Sequence, residues 1–111
     1  MGKYLVLYRS PISAAELMAN STPEEMKAGM DAWMQWAGKV GDALVDFGLP
    51  LGSSNRVEGG STSPGSSEAT GYSIIQAESL DAASKLLEEH PHLHQPDSTI
   101  DVFETMEMPG M

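Results

Sequence analysis

A strand that is apolar on both of its faces limits the folds open to this chain more than any other feature. Residues 3–9 read KYLVLYR, a β-branched and aromatic run without a breaker. Alternate side chains of a strand point to opposite faces, so Leu5 and Leu7 share one face. The other face carries Tyr4, Val6 and Tyr8. We therefore expect both faces of the sheet around this strand to be covered.

A capping signature marks the start of a long helix. Thr22 is a capping residue, Pro23 suits the first helical position, and Glu25 completes a capping box. We expect the helix to run from Pro23 to Phe47 and to end at the Gly-Leu-Pro sequence that follows. Apolar residues at three- and four-residue spacing predict a buried stripe of Met26, Met30, Trp33, Ala37, Val40 and Leu44.

Shorter signals predict the remaining elements. Residues 52–58 are typical of a weak second strand, and the Gly/Ser/Pro-rich stretch 59–71 predicts a flexible loop. A clear strand follows at 71–77. A helix is expected from Leu80 to about residue 89, opened by a Ser at its start, and a last strand from Thr99 to Met108.

The predicted order βαββαβ indicates an α+β fold of the ferredoxin-like kind, a four-stranded antiparallel sheet with two helices on one face. At 111 residues the chain is long enough for one domain, 1–111, and too short for two. No further element is then available to cover the second sheet face. We therefore expect a two-fold homodimer in which sheet packs against sheet.

Charge and cysteine content exclude several classes of function. Sixteen Asp and Glu against six scattered Lys and Arg give a net charge of −10, so we expect neither nucleic acid nor anionic membrane partners. The apolar run at the start is too short for a signal peptide or a membrane span, and we expect a cytoplasmic protein. The absence of cysteine excludes disulfides, thiolate catalysis and zinc–thiolate sites.

Five segments carry a resemblance to a known family. They are KYLVLYR, the TPEEM helix start, W-x-x-W-A-G-K-V-G-D-A-L-V-D-F-G-x-P-L-G over 33–52, GYSIIQAESLDAASKLLEEHPHL over 71–93, and IDVFETMEM over 100–108. In this order they resemble the YCII-related proteins of the dimeric α+β barrel superfamily. The resemblance covers nearly the whole chain apart from residues 10–21 and 59–70. It implies the fold and dimer described above, with a cavity between sheet and helices.

The resemblance also implies a class of ligand, with two departures from the family pattern. Relatives include muconolactone-isomerase-like and dehydrochlorinase-like enzymes that act on small ring compounds. The D-G-P-F motif of the longer branch is absent from 59–71. The better-studied branch pairs a histidine in the first helix with an Asp-Pro after the second helix. Here the second position reads His90-Pro91, and the first falls near 31–33, where there is no histidine. The family chemistry therefore cannot be carried over.

All three histidines lie in the segment HPHLH, residues 90–94. Histidines two apart on an extended segment could share one side, but metal sites usually draw ligands from several elements, and no spaced partner motif is present. We expect no metal and no cofactor. The alternatives are a solvated polar loop at the end of an acidic helix, and acid–base catalysis by His92 or His90 near neutral pH. A reversed dyad of Asp31 with His90 is opposed by the position of Asp31 on the polar helix face.

We predict that His92 turns inward and bonds a backbone carbonyl or a carboxylate, with His90 and His94 more exposed. Trp33 is either core filler, together with Trp36 and the neighbouring methionines, or part of a pocket for a planar ligand. Arg9 and Tyr72 are candidates for holding an anion at the sheet. Two functions follow. The first is an isomerase or lyase acting on a small cyclic acid or phenol with a histidine acid/base, and the alternative is a non-catalytic ligand-binding or accessory domain.

Overall fold

A computed structural model describes residues 1–65 and 68–110 of the chain. Within them the elements are β1 (Gly2–Arg9), α1 (Ala14–Asn20), α2 (Pro23–Val40), β2 (Leu44–Asp46), β3 (Asn55–Glu58), β4 (Ser61–Pro64), β5 (Ala69–Ala77), α3 (Leu80–Leu87) and β6 (Thr99–Glu104). Short 3-10 turns cover Gly41–Ala43 and Pro91–His94. No helix of this described part is long and apolar enough to cross a membrane.

Four strands form an antiparallel sheet in the order β2-β5-β1-β6. β1 lies inside the sheet, where Leu5 stands opposite Ile74 on one side and Phe103 on the other. The prediction of an α+β protein with a four-stranded antiparallel sheet is confirmed. β1 is paired along both edges, and its two apolar rows of side chains lie on the two faces of the sheet.

The second strand of this sheet lies inside the segment that was expected to be helix. The capping box of Thr22 and Glu25 is present as predicted, but α2 ends at Val40 rather than Phe47. Gly41 takes φ +56°, a conformation that leaves the helix and suits glycine. The chain then turns and enters β2, which pairs with β5. A strand does form within 52–58, at Asn55–Glu58, but the expectation that it is the second strand of this sheet is wrong.

The stretch after Gly52 forms a separate hairpin. β3 pairs with β4 as a two-stranded sheet of its own, joined by the two-residue turn Gly59-Gly60. The prediction of a flexible loop over 59–71 is therefore wrong for Ser61–Pro64 and for the start of β5, while Ser66 and Ser67 lie outside the described residues. α1, which Ser13 caps, was not predicted at all, and β6 ends at Glu104 rather than Met108.

The core lies on one face of the sheet. It consists of Tyr4, Val6 and Tyr8 from β1, Ile75 and Ala77 from β5, and Trp36, Ala83 and Leu87 from the helices. The buried stripe predicted for α2 is wrong in its first half, where Met26 and Met30 are 48% and 58% exposed. All residues from 22 to 31 are exposed, because this end of the helix does not reach the core.

The other sheet face has a half-exposed apolar centre. Leu5 and Leu7 share it with Ile74 and Tyr72 of β5 and with Phe103 of β6, as their cross-strand pairing requires. None of these five residues is buried. The two-faced character read from KYLVLYR thus corresponds to one face packed against helices and one face that presents apolar side chains to solvent.

Candidate functional site

Two of the three histidines are buried beside β1. His90 is 0% exposed and His92 is 2% exposed, whereas His94 is exposed. The inward position of His92 is confirmed, and the prediction of a more exposed His90 is wrong. The reason is local: Pro91 opens a 3-10 turn, so the segment is not extended and both rings turn toward the core.

His92 fastens this turn to the end of β1. Its Nε2 lies 2.9 Å from the carbonyl oxygen of Arg9, and since a carbonyl accepts, Nε2 carries the proton. The hydroxyl of Ser98 donates to the His92 carbonyl at 2.7 Å. The bond to a backbone carbonyl is the kind of partner that was predicted for a buried imidazole. His92 therefore fixes where the histidine turn sits relative to the sheet.

His90 lies in a cage of aromatic rings. Its ring centroid is 4.4 Å from those of Trp33 and Trp36 and 4.9 Å from that of Tyr8, and it meets Trp33 nearly edge-on at 87°. Its Nδ1 accepts the backbone N–H of His92 at 2.9 Å. Among the described residues, Nε2 of His90 is a buried side-chain atom without a hydrogen-bond partner. Because Nδ1 is an acceptor, the neutral ring carries its proton on this unpaired Nε2.

Burial sets the protonation state of His90. Desolvation, with smaller repulsion from the neighbouring His92 and His94, lowers the pKa of His90 from 6.5 to about 3. The ring is therefore neutral near physiological pH, and it is a hydrogen-bond donor rather than a proton donor. The same shift disfavours an imidazolium acid at this position.

A hydrogen-bonded chain adjoins the cage. The hydroxyl of Ser73 donates to the carbonyl of Phe47 at 2.7 Å, which leaves its oxygen to accept from the Tyr8 hydroxyl at 2.8 Å. Burial raises the pKa of Tyr8 to about 12, against the opposing effect of the Ser73 hydrogen bond. Tyr8 therefore remains a neutral phenol. We call Tyr8, Trp33, Trp36, Ser73 and His90 the cage cluster.

The site residues that were predicted from the sequence lie in different parts of the structure. Trp33 joins His90, and its ring centroid also lies 4.8 Å from that of Tyr8. Arg9 and Tyr72 belong to the opposite sheet face, where the Arg9 side chain forms an ion pair with Asp101. Asp31 lies in the exposed half of α2, so no dyad with His90 forms. Within residues 1–65 and 68–110, no three carboxylate or imidazole side chains are grouped to hold a metal ion.

Sequence reasoning missed two members of the cage cluster, Tyr8 and Ser73. Their signal lies in strand register, because Tyr8 and Val6 share a face of β1 and Val6 stands opposite Ser73 of β5. A buried serine next to a buried tyrosine on neighbouring strands predicts a hydrogen-bonded pair once the pairing register is known.

Two surface cavities lie away from the cage cluster. One, of about 310 Å³, is polar and is lined by residues that include Ser10, Ser13, Glu16 and Glu68. The other, of about 200 Å³, lies between α3 and β6. Neither lining includes a histidine or Trp33. His90 itself is fully buried, so a ligand reaches it only when the side chains around it move.

The fold and the cluster together define an antiparallel α+β protein with a neutral, unpaired imidazole donor in an aromatic cage. No protein-family model matches the chain, and no curated protein matches it. A resemblance to YCII-related proteins therefore rests on the five sequence segments alone.

Proposed function

We propose that the chain is a YCII-related protein of the dimeric α+β barrel superfamily that binds a small cyclic acid or phenol at the cage cluster. The strand order β2-β5-β1-β6, with α2 and α3 supplying the core of one face, supports a ferredoxin-like arrangement. The half-exposed apolar face of Leu5, Leu7 and Phe103 supports a homodimer in which two sheets face each other.

One observation carries the ligand site. The Nε2–H of His90 is buried without a partner, and such a group costs about 1–3 kcal/mol. A ligand oxygen that accepts this hydrogen bond offsets that cost. The surrounding rings of Trp33, Trp36 and Tyr8 favour a planar apolar body. A carbonyl, carboxyl or phenol oxygen on a small ring satisfies both requirements.

Trp33 is the side chain that moves to admit a ligand to the cage cluster. It is half-buried, it lies on α2, and the first half of that helix is exposed. Rotation of the Trp33 ring away from its edge contact with His90 opens a path to Nε2 without disturbing the buried Trp36, whose Nε1 donates to the Leu86 carbonyl at 2.9 Å. Trp36 is thus the fixed wall of the cage and Trp33 the movable one.

As an isomerase, the site divides its work between the two buried histidines. The neutral His90 Nε2–H donates to a ligand carbonyl and stabilises the enolate that forms on loss of an adjacent proton. His92 carries its own proton on Nε2, so its Nδ1 lone pair is the base. The proton moves from carbon to Nδ1 and returns to a second carbon, which leaves the ligand isomerised with no net change in composition.

A second candidate is a non-catalytic binding domain. It is favoured by the engagement of His92, whose backbone N–H, carbonyl and Nε2 all have partners, as is typical of a structural histidine. His92→Gln separates the two candidates, because the Gln amide keeps a donor for the Arg9 carbonyl and removes the Nδ1 base. For an isomerase, turnover falls by about 100-fold or more while ligand binding persists.

A thermal-shift titration with benzoate, 4-hydroxybenzoate and phenol tests the binding site. His90→Asn keeps an acceptor for the His92 amide and removes the Nε2–H, and His94→Asn is the matched surface control. We expect wild type and His94→Asn to be stabilised equally at saturating probe, and His90→Asn to bind about tenfold more weakly. Equal stabilisation of all three proteins, or none by any probe, contradicts the proposal.

A further inference from the structure

The hairpin of β3 and β4 stands apart from the rest of the chain. Every residue from Asn55 to Pro64 is exposed, including Val57 at 73%. Gly59 and Gly60 take φ +45° and +88°, as a two-residue turn between antiparallel strands requires. A two-stranded hairpin on its own is marginally stable in water. Residues 55–64, here called the hairpin arm, therefore gain stability by packing against another surface.

One edge of the hairpin arm has unpaired backbone groups. Glu58 and Ser61 flank the turn and exchange backbone hydrogen bonds, and the next such pair is Arg56 with Ser63. The backbone groups of Asn55 and Val57 consequently point away from β4. The residue opposite Asn55 is a proline, which has no N–H to offer, in agreement with this alternation.

β6 has a matching edge. It is the last strand in the order β2-β5-β1-β6, so within the described residues its outer side has no strand beside it. The N–H of Thr105 donates to the carbonyl of Lys3 at 3.1 Å, and alternation from that bond leaves the backbone groups of Ile100 and Val102 pointing outward. An added strand would bond to these groups.

A cleft lies directly under this edge. It has a volume of about 200 Å³ between α3 and β6 and is mainly apolar, with Leu87, Leu93, Ile100 and Val102 in its lining beside Ser84 and Glu88. Leu93 is 38% exposed. An added strand would direct alternate side chains into the cleft, because residues directly opposite each other in a sheet share a face.

We propose that the hairpin arm of a second copy adds to the outer edge of β6 as an antiparallel strand with Val57 opposite Ile100. In this register the outward backbone N–H and C=O groups of Val57 form hydrogen bonds with those of Ile100. Those of Asn55 form hydrogen bonds with those of Val102. Val57, the one aliphatic side chain of the arm besides Pro64, then enters the cleft. The inference rests on the proposed homodimer and assigns a second contact to it.

The charges agree with this register. With Val57 opposite Ile100, Arg56 stands opposite Asp101 and Glu58 stands opposite Thr99. Thr99 is paired in turn with Arg9 on β1. The ion pair of Arg56 with Glu58 on the arm therefore lies beside the ion pair of Asp101 with Arg9 on the sheet. Opposite charges are neighbours in this arrangement, because Arg56 lies beside Asp101, and Glu58 lies on the side of Arg9. Every copy carries both an arm and an edge, so a two-fold exchange occupies both arms.

Disulfide trapping tests the register, because the chain has no cysteine of its own. Val57→Cys protein is mixed with differently tagged Ile100→Cys protein at micromolar concentration under mild oxidation. We expect a disulfide-linked heterodimer at about ten times or more the yield given by Met18→Cys, an exposed control on α1, with the same Ile100→Cys protein. Equal yields overturn the proposal.

A second measurement keeps the test independent of the folding of Ile100→Cys. Val57→Asp should raise the dimer dissociation constant about tenfold or more, whereas Thr62→Asp, its cross-strand neighbour on the other arm strand, should not. A dissociation constant unchanged by Val57→Asp overturns arm exchange and leaves the sheet-face dimer standing. A wild-type monomer at micromolar concentration overturns both.

Discussion

The backbone N–H of His92 donates to Nδ1 of His90 at 2.9 Å, and this bond determines which nitrogen of His90 carries the proton. An accepting Nδ1 leaves the proton on Nε2, which is buried and has no hydrogen-bond partner in the described part of the chain. Pro91, between the two histidines, shapes the turn that makes the bond possible. A local contact across two residues thus creates a buried neutral donor.

Acid should destabilise the protein through His90. The unfolded chain takes up a proton as the pH falls through about 6.5, while folded His90 stays neutral down to about pH 3. The unfolded state therefore binds more protons in this window. The free energy of unfolding should fall with decreasing pH, at most by about 1.4 kcal/mol per pH unit from this group.

Urea denaturation from about pH 7 to about pH 4 measures this slope. Taking the difference between wild type and His90→Asn removes the contribution of the carboxylates, which titrate in the same range. The difference should shrink as the pH falls, and His94→Asn should behave as wild type does. A difference independent of pH would show that His90 titrates equally in the folded and unfolded states.

Alkali should act through Tyr8. The pKa of Tyr8 is raised from 10 to about 12 in the folded protein, so the unfolded chain loses this proton first as the pH rises. The contribution of Tyr8 is present below pH 10 and is lost between pH 10 and about 12. Absorbance titration at the phenolate band, with Tyr8→Phe as the difference control, should show one tyrosine titrating near pH 12. The absence of a component near pH 12 that Tyr8→Phe removes would contradict this.

Gly48 should tolerate no side chain. It takes φ +79°, and a Cβ at this position would collide with the carbonyl oxygen of Tyr72 on β5. Gly48→Ala should cost about 3 kcal/mol or more in the free energy of unfolding. The matched control is Gly38→Ala in α2, where the added methyl meets open space and should stabilise by about 0.5–1 kcal/mol. Similar effects at both positions would mean that the approach of Gly48 to β5 is not rigid.

The open sheet face should govern self-association. Leu7→Asp places a charge at the centre of that face, between Tyr72 and Asp101, and should convert the dimer to a monomer. The control is Lys27→Asp, on the exposed half of α2. This variant changes the net charge by more than Leu7→Asp does, but at a position away from the open sheet face. Sedimentation equilibrium should give a monomer for the first variant and a dimer for the second. A dimer in both cases would remove the sheet face as the interface.

The strands with strong local signals were predictable from sequence. KYLVLYR and GYSIIQA are both central strands of the sheet, and the capping box at Thr22 is formed by the side chains that the pattern requires. These signals lie within short segments, so the elements can be predicted without knowing the rest of the fold. β2 was not predictable in the same way, because its residues continue the helical spacing of α2, although the helix itself ends before them at Gly41.

The candidate site was predictable only in part. The inward position of His92 follows from its place between Pro91 and Leu93, where the chain returns over the sheet edge. The burial of His90 depends on three rings from β1 and α2 that are distant in sequence. Their convergence is a tertiary effect, and no spacing within HPHLH encodes it.

The most direct test of the His90 site is ¹⁵N–¹H NMR of the histidine side chains, with and without saturating benzoate. We expect His90 to be the neutral tautomer with its proton on Nε2 and not to titrate near 6.5. Its Nε2–H resonance should shift when benzoate binds, while that of His94 should not. A His90 that titrates near 6.5, carries its proton on Nδ1, or is unaffected by bound benzoate would rule out His90 as the ligand's hydrogen-bond donor.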